Sequence, residues 1–288
     1  MIELPLPTQV ERQLVGTSRR EVLMLRGLPR PEDDNGTDVV MVSGFFGTKE
    51  DFRELLSLLA RAGYRGWAYD YLGQLGPVEA DIEYSIAYMA GDLLAVLRAV
   101  GAGRPAHLVG HCLGGFVARA AAVREPALAR SLTLMACGPS MRDRKHKAML
   151  SGLAQLHTNG GAIALWPLVK ALLAEDDTVM REFWHAKLSA MNPLWVTGTA
   201  ESMGDEQDRS AELTAAGIPS LVVHGKRDRR LWSADAYGEM AQRLGAERVV
   251  IERASHSPNM EQPVVLAETL LEFWGARRRD GQLVAAAL

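Results

Sequence analysis

A chain of 288 residues, at ~150 residues per domain, has room for two small domains or one large α/β domain, and 48% apolar with 23% charged residues allows a sizeable core. With 32 Lys and Arg against 35 Asp and Glu the formal charge is -3, which argues against a surface that tracks nucleic-acid phosphates. No apolar run approaches the ~18 residues of a membrane helix, the longest being Ala162 to Val169, and Glu3, Pro5 and Pro7 do not read as a secretion signal, so a cytoplasmic protein without membrane attachment is expected.

Taken in chain order, Gln13 to Arg26 reads as a hairpin turning at Thr17-Ser18-Arg19-Arg20. After a polar stretch, Val39 to Val42 is a short strand, and Phe52, Leu55, Leu56 and Leu59 recur at helical spacing. Gly66 to Tyr69 is the next strand, and Tyr84 to Val100 the next helix. His107-Leu108-Val109 then leads through a glycine-rich turn into the Ala-rich helix Phe116 to Arg124, and Leu132 to Met135 is a further strand. This alternation predicts an α/β fold with a mostly parallel sheet and helices on both faces. Strand signals lapse between Pro139 and Ala211, where Met, Leu and Trp fall in helical patches. Residues 139–211 are therefore expected to form a helical cap inserted into a core of residues 1–138 and 212–288. Strands return at Ser220 to Val223 and Arg248 to Ile251, separated by a helix opening near Ser233, and a last helix carries Leu266, Leu270, Phe273 and Trp274, with Arg277-Arg278-Arg279 at its end.

Two cysteines make no disulfide framework, and no Cys/His spacing fits a zinc site, so Cys112 and Cys137 are read as individual thiols. Cys112 lies in Gly110-His111-Cys112-Leu113-Gly114-Gly115, between a strand and a helix. This is a G-x-S-x-G nucleophile elbow with sulfur in place of oxygen. A nucleophile on so sharp a turn is held in strained backbone, and its neighbours must lack Cβ to let the chain fold back. The helix N-terminus aimed at the thiol favours thiolate and a developing oxyanion. Asp228 follows one strand in Gly225-Lys226-Arg227-Asp228, and His256 follows the last, where open α/β sheets build their sites.

Nucleophile, acid and base in this order resemble the α/β-hydrolase superfamily over nearly the whole chain. Ser43-Gly44-Phe45-Phe46-Gly47 resembles its His-Gly loop, Asp70-Tyr71-Leu72-Gly73-Gln74-Leu75-Gly76 its Asp-x-Arg-Gly-x-Gly loop, and His256, Pro258, Glu261 and Pro263 its terminal histidine motif. Ser43 stands where His is usual, Leu72 where Arg is common, and Gly76 one residue late. The resemblance implies Cys112 as nucleophile, Asp228 as orienting acid and His256 as base, with the backbone N–H groups of Phe45 and Leu113 as oxyanion hole. It calls for no cofactor or metal.

Sulfur bears on the substrate. A thiolate is a soft nucleophile and a good leaving group, suited to thioesters, lactones and activated esters. The expected substrate is a small acyl compound, free or presented on a carrier protein or coenzyme A, and the default reaction is hydrolysis. A cyclase, acyltransferase or lyase of natural-product biosynthesis is the first alternative, and a ligand-binding member without catalysis the second. Phe46, His111, Trp166 and Trp184 are candidate substrate contacts, with His111 chiefly supporting the nucleophile. Cys137 reads as a small core residue, and Asp143 and Glu252 as weaker candidates for the acid. The remaining histidines read as scaffold or surface groups.

Overall fold

The structure, a computed structural model, describes residues 3–76, 82–170, 177–275, 277–279 and 282–284. The chain begins with an antiparallel hairpin, β1 (Val10–Gly16) and β2 (Glu21–Gly27). Its turn is closed by the Thr17 hydroxyl, which accepts the N–H groups of Arg19 and Arg20. Next come β3 (Asp38–Val42), a 3₁₀ turn (Lys49–Phe52) running into α1 (Arg53–Arg61), β4 (Arg65–Tyr69), α2 (Ile86–Val100), β5 (Ala106–His111), α3 (Leu113–Arg124) and β6 (Ala129–Met135). The helical stretch comprises α4 (Arg144–Gly160), α5 (Trp166–Lys170), α6 (Thr178–Ala190), α7 (Pro193–Asp205) and α8 (Ser210–Ala215). The chain then forms β7 (Ser220–Gly225), α9 (Ala234–Leu244), β8 (Glu247–Ile251), α10 (Pro258–Glu261) and α11 (Pro263–Phe273).

The main sheet has eight strands in the order β1-β2-β4-β3-β5-β6-β7-β8. From β4 to β8 every pairing is parallel, and β2 alone of the eight strands runs against the others. Parallel strands covered by helices on both faces are buried throughout, which is why β3, β5 and β7 show no exposed residue. On one face Leu55, Leu56 and Leu59 of α1 and Leu266 and Leu270 of α11 pack with Val39, Met41, Val109, Leu221 and Val223 into a single apolar cluster. At ~25 cal/mol per Å², each such leucine contributes about 1.5–3 kcal/mol to packing these helices on the sheet. The hairpin keeps one face wet: Leu14 and Leu23 are 58% and 49% exposed.

The described residues divide into two compact units. One contains Leu6–Asp70, Ala90–Pro139 and Asp208–Leu288 and holds the sheet; the other contains Met1–Pro5, Tyr71–Met89 and Ser140–Gln207 and is helical. Within the helical unit, Tyr71 stacks on Trp195, and the Asn192 amide donates to the Tyr84 hydroxyl at 3.0 Å. Contacts so distant in sequence bring Tyr71–Met89 into this unit. The arginine run differs from the expectation. Gly275 takes φ +77, α11 stops at Phe273, and Arg277–Arg279 forms a strand, β9, paired with β10 (Gln282–Val284).

Candidate active site

β5 is buried along its length and delivers Cys112 one residue past its end. Cys112 has φ 51 and ψ -112, in the left-handed half of backbone space, where a side chain other than glycine is strained. The turn is held by hydrogen bonds from the Cys112 N–H to the Met135 carbonyl (2.9 Å) and from the Gly115 N–H to the Cys112 carbonyl (3.0 Å). A Cβ on Gly110 would lie 2.4 Å from the Gly114 carbonyl oxygen, and one on Gly114 would lie 2.1 Å from that of Val42. The glycine spacing is thus dictated by backbone packed on backbone. α3 starts at Leu113, whose N–H, as the first of the helix, has no intrahelical acceptor.

β7 and β8 bring the two titratable groups. Asp228 sits in a turn closed by its own N–H on the Gly225 carbonyl, and His256 follows β8 by five residues. Oδ2 of Asp228 accepts from Nδ1 of His256 at 2.9 Å and from the Tyr237 hydroxyl at 3.1 Å, while Oδ1 accepts from the Arg230 N–H at 3.2 Å. Burial alone would raise the Asp228 carboxyl, but these donors and the charge of His256 outweigh it and hold the pKa below its usual value. For His256, burial disfavours the imidazolium; hydrogen bonds to Asp228 and Cys112 and the negative charge of both overcome this and push it up to about 10. The proton on Nδ1 belongs to Asp228, so the bond to Cys112 is made through Nε2.

The loop after β3 completes this arrangement. A turn from the Gly47 N–H to the Gly44 carbonyl (3.0 Å) encloses Phe45 and Phe46, whose rings meet edge to face. A Cβ on Gly44 would lie 3.4 Å from Cβ of Cys112, so this loop lies directly against the elbow. Its far end is anchored by Asp70, which accepts the Lys49 N–H at 2.8 Å and pairs with the Lys49 ammonium. The Asn259 amide adds a bond to the Asp51 carbonyl at 3.0 Å.

The structure therefore brings Cys112, His111, Asp228, His256, Phe45, Phe46 and Leu113 into one unit. Trp166 and Trp184 belong to the helical unit, where Trp166 meets His185 edge to face and Trp184 carries the Lys187 ammonium 3.3 Å from its ring centroid. Asp143 pairs with His146 and Glu252 with Lys226, so neither orients His256. Cys137 is a fully buried thiol against Gly115 that donates to the Gly138 carbonyl. His107 bonds to Ser131, and His224 accepts from Arg248; the side chain of His157 lies outside the described residues. Tyr237 and Asn259 escaped the sequence reading. Tyr237 sits on the buried face of α9, one turn past its Ser233 cap, and no local pattern in the sequence marks its bond to Asp228. Among the described residues no group of His, Cys, Asp and Glu is assembled to hold a metal ion, and no helix is long and apolar enough to cross a membrane.

Comparison with known proteins agrees with this architecture. The chain is 25% identical over 254 residues to a protein of Pseudomonas savastanoi pv. phaseolicola named as carbamate hydrolase RutD, covering 83% of this chain and 94% of that one. It is 27% identical over 252 residues to the pimeloyl-[acyl-carrier protein] methyl ester esterase of Aeromonas hydrophila, covering 83% and 96%. Among solved structures, an esterase from Exiguobacterium antarcticum superposes with a TM-score of 0.76 at 18% identity, covering 90% of this chain and 98% of that one, a likeness of fold. The profile of the alpha/beta hydrolase family matches residues 39–269, and the chain belongs to that family.

Proposed function

We propose that the protein hydrolyses a small acyl thioester or activated ester through a covalent intermediate on Cys112. The observation that carries this reading is the line from Asp228 through His256 to a thiol held at φ 51 on the elbow. The thiolate adds to the acyl carbonyl carbon, and the oxyanion is received by the N–H groups of Phe45 and Leu113. Nε2–H of His256 protonates the leaving group as its bond to the acyl carbon breaks, leaving a thioester on Cys112. Once Cys112 is acylated it no longer carries negative charge, and one cause that raised His256 disappears. The neutral imidazole then takes a proton from water, hydroxide adds to the thioester, and the thiolate departs as the carboxylic acid forms. Asp228 keeps the imidazole in one tautomer through both steps.

The named activities of the two relatives, hydrolysis of a carbamate and of a carrier-bound methyl ester, support an esterase-like hydrolase, and the latter supports a carrier-presented acyl group. Trp166 and Trp184 are proposed as apolar contacts for the acyl group. The test is intact-protein mass spectrometry after mixing with short and medium acyl thioesters and aryl esters. An acyl increment on the wild type that Cys112→Ala loses, with a fall in turnover of about 10⁶-fold, is expected. Turnover that survives in Cys112→Ala would overturn the assignment.

A further inference from the structure

His111 precedes the nucleophile, and the chemistry proposed above leaves it without a step. Its Nε2 lies 2.7 Å from the backbone carbonyl oxygen of His256. A carbonyl only accepts, so the hydrogen is on Nε2 and Nδ1 is bare. That Nδ1 is buried with no hydrogen-bond partner, and a Cβ on Gly44 would come within 3.0 Å of it. The ring thus touches the loop of the base and the loop of the oxyanion hole from a residue adjacent to the nucleophile. The flanking N–H groups of Ser255 and Ser257 both go to the Glu261 carboxylate, at 2.8 and 3.0 Å. Glu261 sits five residues past His256, so it fixes the shape of that loop without fixing where the loop stands. The His111 bond ties the main chain of that loop to the elbow.

We propose that His111 is a positioning residue: its Nε2–H holds the His256 main chain in register with Cys112, as a donor that brings no charge. The inference rests on Cys112 and His256 being nucleophile and base. A neutral donor matters because the two rings are only 5.2 Å apart. A lysine or a protonated histidine there would repel the imidazolium that has to protonate the leaving group. Burial, with the charge of His256 beside it, pushes His111 down to about 3, which leaves the ring neutral near pH 7. An apolar side chain would keep the charge balance but leave the His256 carbonyl without this donor.

The test compares His111→Leu, which removes the donor, with His111→Gln, whose amide reaches the same carbonyl. Two readouts are taken: the acylation burst with p-nitrophenyl acetate, and the titration of His256 followed by NMR on isotope-labelled histidine. In His111→Leu the burst should slow about 10²-fold, the cost of a displaced catalytic group, with KM changed by less than about twofold. The His256 titration should fall from near 10 toward the ordinary histidine value of ~6.5. His111→Gln should recover most of both. Equal losses in the two variants, or a His256 titration that His111→Leu leaves in place, would overturn the proposal. If His111→Leu does not fold, His111→Asn, whose amide stops short of the carbonyl, replaces it. Failure of the underlying reading has another signature: wild type that takes no acyl group on Cys112, whatever His111 does to the titration of His256.

Discussion

A Cβ added to Gly114 at the elbow would meet the Val42 carbonyl oxygen at 2.1 Å, whereas one added to Gly152 on α4 would meet nothing within 4 Å. The two glycines stand for two ways of building. In the sheet-bearing unit, loops at the ends of β3, β5, β7 and β8 are fixed by backbone packed on backbone and by buried polar bonds, a stiff frame for a thiol, an imidazole and a carboxylate. In the helical unit, a backbone bridge joins Leu75 to Met191, and beyond it side chains are laid on side chains: Tyr71 on Trp195, Lys187 on Trp184, the amide of Asn192 on Tyr84. Side-chain packing yields to small changes more readily than backbone contact does.

The sharpest way to break this contrast is at the carboxylate. Asp228→Asn keeps the volume but removes the negative charge that supports the His256 imidazolium, and where its NH2 faces Nδ1 the imidazole must turn to the other tautomer. kcat/KM should drop about 10³–10⁴-fold with the fold intact by circular dichroism. Loss of less than about tenfold would mean that alignment at this site depends little on Asp228.

Next in size is Gly114→Ala, where neither the added methyl nor the Val42 carbonyl has anywhere to go. We expect destabilisation of at least about 3 kcal/mol, a fall in Tm of about 6–12 °C on thermal unfolding. An unchanged Tm would show the elbow to be as forgiving as a surface helix.

Tyr237→Phe sharpens the comparison with a smaller change. It removes one hydrogen bond to a charged oxygen that keeps His256 as its partner, so activity should fall about tenfold. The pH dependence has a definite sign. Asp228 has a depressed folded pKa, so its contribution to stability is present above its unfolded value of ~3.9 and is lost as pH falls through the lower folded value. The Tyr237 hydroxyl is one cause of that depression. Without it the folded value is less depressed, so the contribution is smaller and its loss is complete at a higher pH, and the midpoint of acid unfolding moves up. A midpoint that stays or moves down would contradict the assigned direction.

How much of this could be read from the sequence follows the same division. The elbow was legible because backbone contact permits only glycine at 110 and 114, and a forced residue leaves a pattern. Asp228 and His256 were legible because each follows a strand that periodicity had located. Tyr237 was not, since an aromatic on the buried face of an amphipathic helix looks the same whether its hydroxyl ends in apolar packing or on a carboxylate. Neither was Lys49 with Asp70, 21 residues apart, nor Tyr84 with Asn192, 108 apart. Polar pairs of that separation follow no local period. The arginines after Gly275 read as a charged helix end, because nothing local in their sequence marks the strand pairing that they make.

The smallest predicted effect has the opposite sign. Gly152 lies within α4, is exposed, and has open space where a Cβ would be. Glycine there costs backbone entropy that alanine does not, so Gly152→Ala should stabilise the protein by about 0.5–1 kcal/mol and raise Tm by about 1–4 °C, with kcat and KM unchanged. The measurement is a matched thermal melt beside Gly114→Ala, the same added methyl in both. If both variants lose stability, the space around α4 is not open in solution and the contrast between the two units fails. If Gly152→Ala gains while Gly114→Ala loses, an identical chemical change takes its sign from whether backbone or solvent faces it, which is the physical reason the site is carried by the sheet-bearing unit.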